Sequence, residues 1–184
     1  MNGSIELIIG PMYASKTSTL IAKMERFLIA KKSCVVLKWD KDTRFSQKEV
    51  ISTHNDRHYP CISCASDQLM TYLPKIQDYD VIGIDEGQFF ENLAEFCDTL
   101  AFKGKKIVVS GLDADFRREP FPEITKLIPR AESVLKLTAV CTGCGNSASF
   151  SQRITKSTEI ELVGGAEIYR AVCRNCYASL SDNA

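Results

Sequence analysis

The octapeptide Gly10-Pro11-Met12-Tyr13-Ala14-Ser15-Lys16-Thr17 constrains the fold of this chain more than any other feature, because of what lies on either side of it. Residues 5–9 form a short apolar run that stops at Gly10, which predicts a buried strand. Residues 16–31 lack Gly and Pro, and Leu20, Ile21, Met24, Phe27 and Leu28 recur there at helical spacing. Strand, glycine-opened loop, Lys-Thr and helix together make a phosphate cradle of the G-x-x-x-x-G-K-[ST] type. Backbone N–H groups wrap the phosphates, and the positive end of the helix faces the anion. Lys16 supplies charge to the transferring phosphate, and the Thr17 hydroxyl suits a magnesium ion. Ser15 departs from the pattern, which asks for glycine there. A left-handed serine costs about 1–2 kcal/mol, whereas a serine that caps the helix costs little.

Downstream, strand and helix signals alternate. Residues 34–38, 80–84 and 106–110 are further apolar runs, and residues 89–101 look helical. A loop around Pro120 and Pro122 leads to a short helix ending near Ile128, and residues 134–140 alternate as a last strand. Strands separated by helix-length segments predict an α/β fold, a P-loop-type parallel sheet covered by helices on both faces. The character changes at Cys141, where glycines and polar turn residues take over and no helix longer than about a turn is expected. The expected division is a nucleotide-binding domain over 1–140 and a small lobe over 141–184.

Composition is that of a soluble globular protein, 45% hydrophobic and 25% charged, with a formal net charge of +0. Neutrality argues against a nucleic-acid partner, and no run approaches the ~20 apolar residues that span a bilayer. Residues 1–9 lack the basic segment of a signal peptide, so a cytoplasmic location is expected.

The run Val81-Ile82-Gly83-Ile84 ends in Asp85-Glu86. A strand-end aspartate beside a phosphate loop supports magnesium. The next side chain points elsewhere, which frees Glu86 to act as a general base or leaves it a solvated turn residue. Asp42-Thr43-Arg44 offers a second acidic residue and an arginine for the phosphates, or else a surface ion pair.

Cys141-x-x-Cys144 and Cys173-x-x-Cys176 are two knuckles flanking residues 145–172. Four thiolates so paired make a closed structural zinc site, with reduced thiols or a disulfide as the alternatives. Cys61 and Cys64 lack a partner pair and read as unligated thiols, while Cys34 and Cys97 read as core residues. Phe89, Phe90, Phe116, Phe121 and Tyr169 lie near loop positions suited to sandwich a flat base, although core packing is the ordinary fate of phenylalanine.

Taken together, these residues resemble the type II thymidine kinase family over nearly the whole chain. The resemblance rests on the phosphate loop, Lys41-Asp42-Thr43-Arg44, Asp85-Glu86-Gly87-Gln88-Phe89-Phe90 and Gly111-Leu112-Asp113 with Phe116 and Arg117. It is strengthened by Pro120-Phe121, by the run from Ala131 to Cys141, and by Gly164-Gly165-Ala166 with Tyr169. It implies transfer of the γ-phosphate of ATP to the 5′-hydroxyl of thymidine, with deoxyuridine as a second acceptor. Lys16 and Arg44 then serve the phosphates, Thr17, Asp42 and Asp85 serve magnesium, and Glu86 is the base. Met12, Phe89, Leu112, Phe116 and Phe121 match positions enclosing thymine, as do Ile160 and Leu162. Ser151 stands where a threonine is often found near the base. Tyr169 belongs to a lasso-like loop over residues 151–169, anchored at both ends by zinc on Cys141, Cys144, Cys173 and Cys176. A homotetramer inhibited by thymidine triphosphate is the family expectation.

Overall fold

The structure, a computed structural model, describes residues 2–41, 50–52, 58–155, 157–160 and 164–181. Asp42, Arg44 and Leu162 lie outside the described residues.

In chain order the first strands are β1 (Ser4–Gly10), β2 (Cys34–Trp39), β3 (Val50–Ser52), β4 (His58–Pro60) and β5 (Ile62–Cys64). They are followed by β6 (Val81–Asp85), β7 (Lys106–Leu112) and β8 (Ser133–Lys136). The tail carries β9 (Ala139–Val140), β10 (Ser147–Ala148), β11 (Phe150–Arg153) and β12 (Tyr169–Val172). The helices are α1 (Lys16–Ile29), α2 (Leu93–Phe102), α3 (Pro122–Leu127) and α4 (Arg174–Ser181).

Six strands form one sheet in the order β5-β2-β6-β7-β1-β8, and every pairing in it is parallel. Alternation along each strand sends side chains to two cores. Ile5, Leu7, Ile82, Ile84, Ile107 and Val109 meet Leu93, Phe96 and Leu100 of α2 and Ile124 and Leu127 of α3. Ile8, Val36, Val81 and Val108 meet Leu20, Ile21 and Met24 of α1 on the other face. This is the expected parallel sheet with helices on both sides.

The crossover order brings the carboxyl ends of β1, β2, β6 and β7 to one edge of the sheet, where ligands bind in open α/β folds. Gly10 is required at that edge. Its φ is +147°, and a Cβ there would lie 2.4 Å from the Leu137 carbonyl oxygen.

Several elements differ from the sequence expectations. The expected strand over 134–140 divides, because β8 pairs with β1 while β9 turns away to pair with β10. The helix expected from residue 89 starts at Leu93, after a 3₁₀ turn at Gly87–Phe89. The tail contains an eight-residue helix, α4, where none was expected. Its start is concealed in the sequence because Cys176 belongs to both the helix and the cysteine knuckle. β5 was not anticipated, being only three residues long at the sheet edge. It brings Cys64 into the core, and burial pushes that thiol up to about 11. Cys97 is fully buried as expected, while Cys34 is half-buried.

Candidate active site

The phosphate loop holds two left-handed non-glycine residues, Tyr13 (φ 65°) and Ser15 (φ 58°). Ser15 makes no side-chain cap bond to α1, so of the two readings open for it the strained one holds. The Lys16 Nζ donates to the Pro11 carbonyl at 2.7 Å, folding the lysine back across its own loop. The loop is also tied to the tail. The Met12 N–H donates to Ser151 Oγ at 2.9 Å, and the Tyr13 hydroxyl donates to the Tyr169 carbonyl at 3.2 Å. Ala14 packs into a small third core with Ala139, Cys141, Ala148, Ala171 and Val172.

At the end of β6 the acidic pair parts company. Asp85 is buried, takes the Ser110 hydroxyl, and accepts the Thr17 hydroxyl on both carboxylate oxygens at 3.2 Å. Glu86 adopts a left-handed conformation (φ 54°), a strained backbone of the kind found at functional sites. That turn aims it into a separate cavity. Gln88 bridges Glu86 to the sheet, its Nε2 donating to Glu86 Oε2 at 2.6 Å while its Oε1 accepts the Leu112 N–H at 2.9 Å.

The cleft that Glu86 faces encloses about 510 Å³ of non-protein space, part of it open to solvent. Met12, Glu86, Phe89, Leu112, Phe116, Phe121, Ser151, Ile160 and Tyr169 line it, together with Trp39, Ala114 and Gly164. Its walls are mostly apolar with a few convergent polar groups, the usual make-up of a small-molecule site. Phe90, one of the five aromatics considered for this site, instead enters the core. Trp39 was not anticipated. It stacks on Phe89 with centroids 4.1 Å apart, and Phe121 meets Phe89 edge-on at 6.1 Å. Its signal was available, since it is the single tryptophan and lies two residues before Lys41.

The four tail cysteines come together as their spacing implies. Their sulfurs all lie within 4.8 Å of one another, close to the ~3.8 Å edge of a tetrahedron with 2.3 Å zinc–sulfur bonds. The Cys173 N–H donates to Cys141 Sγ at 3.2 Å. That bond, more than any other influence, pulls the Cys141 thiol down to about 6. The set fits a structural metal. From the same knuckle α4 sends the Tyr177 hydroxyl to the Phe116 carbonyl at 2.8 Å, linking the cluster to the cavity wall.

The anion cradle at the end of β1 and the cavity facing Glu86 thus open side by side, joined through Met12, which belongs to both. A P-loop protein built in this way is a phosphotransferase with a pocket for a small acceptor, since a simple nucleotide hydrolase has no use for the second cavity. A family model described as thymidine kinase matches residues 3–177, and the chain belongs to that family. It is 44% identical over 180 residues to thymidine kinase 1 of Dictyostelium discoideum, covering 96% of this chain and 78% of that protein. It is 45% identical over 178 residues to the thymidine kinase of vaccinia virus (strain Ankara), covering 96% and 98%. Among solved structures, the flagellar accessory protein FlaH of Methanocaldococcus jannaschii matches with a TM-score of 0.54 at 12% identity. That match covers 95% of this chain and 80% of FlaH, a likeness of fold alone.

Proposed function

We propose that this chain is an ATP-dependent thymidine kinase, transferring the γ-phosphate of ATP to the 5′-hydroxyl of thymidine, with deoxyuridine as a lesser acceptor. The observation that carries the reading is the divergence of Asp85 and Glu86, one toward the phosphate loop and the other into an apolar cavity.

In this reading the backbone of residues 10–17 wraps the triphosphate, and Lys16 leaves the Pro11 carbonyl to meet its negative charge. Magnesium would be held by Thr17 and Asp85, with Asp42 beyond the described residues, and would neutralise charge on the phosphates. Arg44 would add a second cation. The base of the nucleoside lies between Met12, Phe89, Leu112, Phe116 and Phe121, under Ile160 and Tyr169, with Leu162, beyond the described residues, as a further expected contact. Ser151 sits where the base edge meets the loop. Glu86 takes the proton of the 5′-hydroxyl as that oxygen attacks the γ-phosphorus and the bond to the β-bridging oxygen breaks, releasing ADP. Gln88 keeps the carboxylate of Glu86 oriented through the transfer.

A zinc ion would be held by Cys141, Cys144, Cys173 and Cys176, where its chemistry is structural: it closes the lobe over 141–184 against the domain over 1–140. A cytoplasmic homotetramer inhibited by thymidine triphosphate is the corresponding working form. An ATP-dependent assay of thymidine, deoxyuridine and deoxycytidine tests the reading. Thymidine is expected to turn over fastest. Comparable use of deoxycytidine, or DNA-stimulated ATP hydrolysis without nucleoside phosphorylation, would overturn it.

A further inference from the structure

Arg153 closes β11 directly opposite Tyr169 of β12, and only 9% of its surface is exposed. Its guanidinium is shared among the loop that follows. Nη1 donates to the carbonyls of Ser157 (3.0 Å) and Glu159, and Nη2 donates to the Ile160 carbonyl (3.4 Å) and the Tyr169 hydroxyl. The guanidinium carbon lies 3.9 Å from the centre of the Phe116 ring and 5.0 Å from that of Tyr169. Arg153 does not itself line the cavity, yet Phe116, Ile160 and Tyr169, all in its grip, do.

A cation this deeply buried needs acceptors for its charge. Here the loop carbonyls and the Tyr169 hydroxyl serve Nη1 and Nη2, and two aromatic faces flank the plane. Nε is buried with no partner among the described residues. Residues 157–160 lie outside any helix or strand, and three of their carbonyls accept from this one side chain. The planar fork of arginine presents five donors in fixed directions from three nitrogens, whereas an ammonium offers three from a single point.

We infer that Arg153 is a positioning residue that holds the loop over the nucleoside cavity, acting on acceptor affinity through Ile160, Tyr169 and Phe116. This rests on reading that cavity as the nucleoside site, and the test keeps the two apart.

The experiment compares the full chain with R153M and R153K by hydrogen exchange and by steady-state kinetics with ATP and thymidine. Exchange at residues 157–160 is expected to quicken at least about tenfold in both variants, with strand 81–85 unchanged. The KM for thymidine is expected to rise by about the same factor, with kcat and the KM for ATP little altered. Parent-like exchange at 157–160 in R153K would overturn the inference, and so would a common rise of both KM values with faster exchange in strand 81–85. Should R153M fail to fold, R153K decides alone, because it keeps the charge while losing the fork. Faster loop exchange in a protein whose parent form does not phosphorylate thymidine would uphold Arg153 as the loop's anchor and remove the nucleoside reading instead.

Discussion

The backbone N–H of Met12 donates to the side-chain oxygen of Ser151 at 2.9 Å, joining the phosphate loop to a strand of the tail across a sequence separation of 139. The bond is buried, so neither partner has water as a substitute. Ser151→Ala leaves a backbone donor unmatched and is expected to cost about 1–3 kcal/mol. In a chain of this length each kcal/mol moves Tm by about 2–4 °C. Ser151→Thr keeps the hydroxyl and should melt close to the parent. Equal losses in the two variants would assign the effect to packing and not to the hydrogen bond.

Glu86→Gln preserves shape and an acceptor for the Gln88 amide but cannot accept a proton. A fall in kcat of about 10²–10⁴-fold is expected, with the melting temperature unchanged. Turnover near the parent level would remove Glu86 as the base.

Ser15 bears left-handed strain without a compensating cap bond. Ser15→Gly should therefore stabilise the protein by about 1 kcal/mol, seen as a Tm higher by about 2–4 °C. A lower Tm would show that glycine's greater freedom in the unfolded chain outweighs the strain.

Metal analysis of protein prepared without chelators should find about one zinc per chain, and Cys144→Ser or Cys173→Ser should lose it. Because α4 ties the knuckle to Phe116, loss of the metal should also weaken nucleoside binding. Protein that contains no zinc would leave the four cysteines as a thiol cluster.

Helix α2 has no side-chain cap of its own; instead Glu123 of α3 accepts the Ala94 N–H at 3.1 Å. Burial by itself pushes the Glu123 carboxyl up, but hydrogen bonds from Lys126, Ala94 and Leu93 outweigh it and hold the carboxyl below its usual range. A lowered carboxyl stabilises the fold above the ordinary carboxylate range, and that stability is lost as pH falls through the folded value. Glu123→Gln should cost about 1 kcal/mol at neutral pH. The Tm gap between parent and variant should close in acid below about pH 4. A gap that persists there would trace the loss to shape and not charge.

The sheet and the phosphate loop were legible because local patterns encode them. Apolar runs of strand length, a helical repeat after Lys16 and the glycine at residue 10 are each short-range signals. The cysteine knuckles were legible for a similar reason, since ligand spacing is a property of a few adjacent residues. Helix α4, strand β5 and the break between β8 and β9 were not legible, because each is short and owes its form to what it packs against. Arg153 escaped for want of a motif of its own, and Trp39 is marked only as the single tryptophan, two residues before Lys41.

By itself, the sequence determined the anion cradle, the acidic strand end, the four-cysteine set and the family to which the chain belongs. Only the tertiary structure decided that Asp85 turns to Thr17 while Glu86 enters a cavity walled by Trp39 and Phe89. It alone decided that Arg153 grips the loop above. The reason is physical: a chain's local patterns select strands, helices and ligand spacings, whereas the direction of a side chain depends on partners that only the fold brings beside it, as Thr17 is brought to Asp85 across a separation of 68.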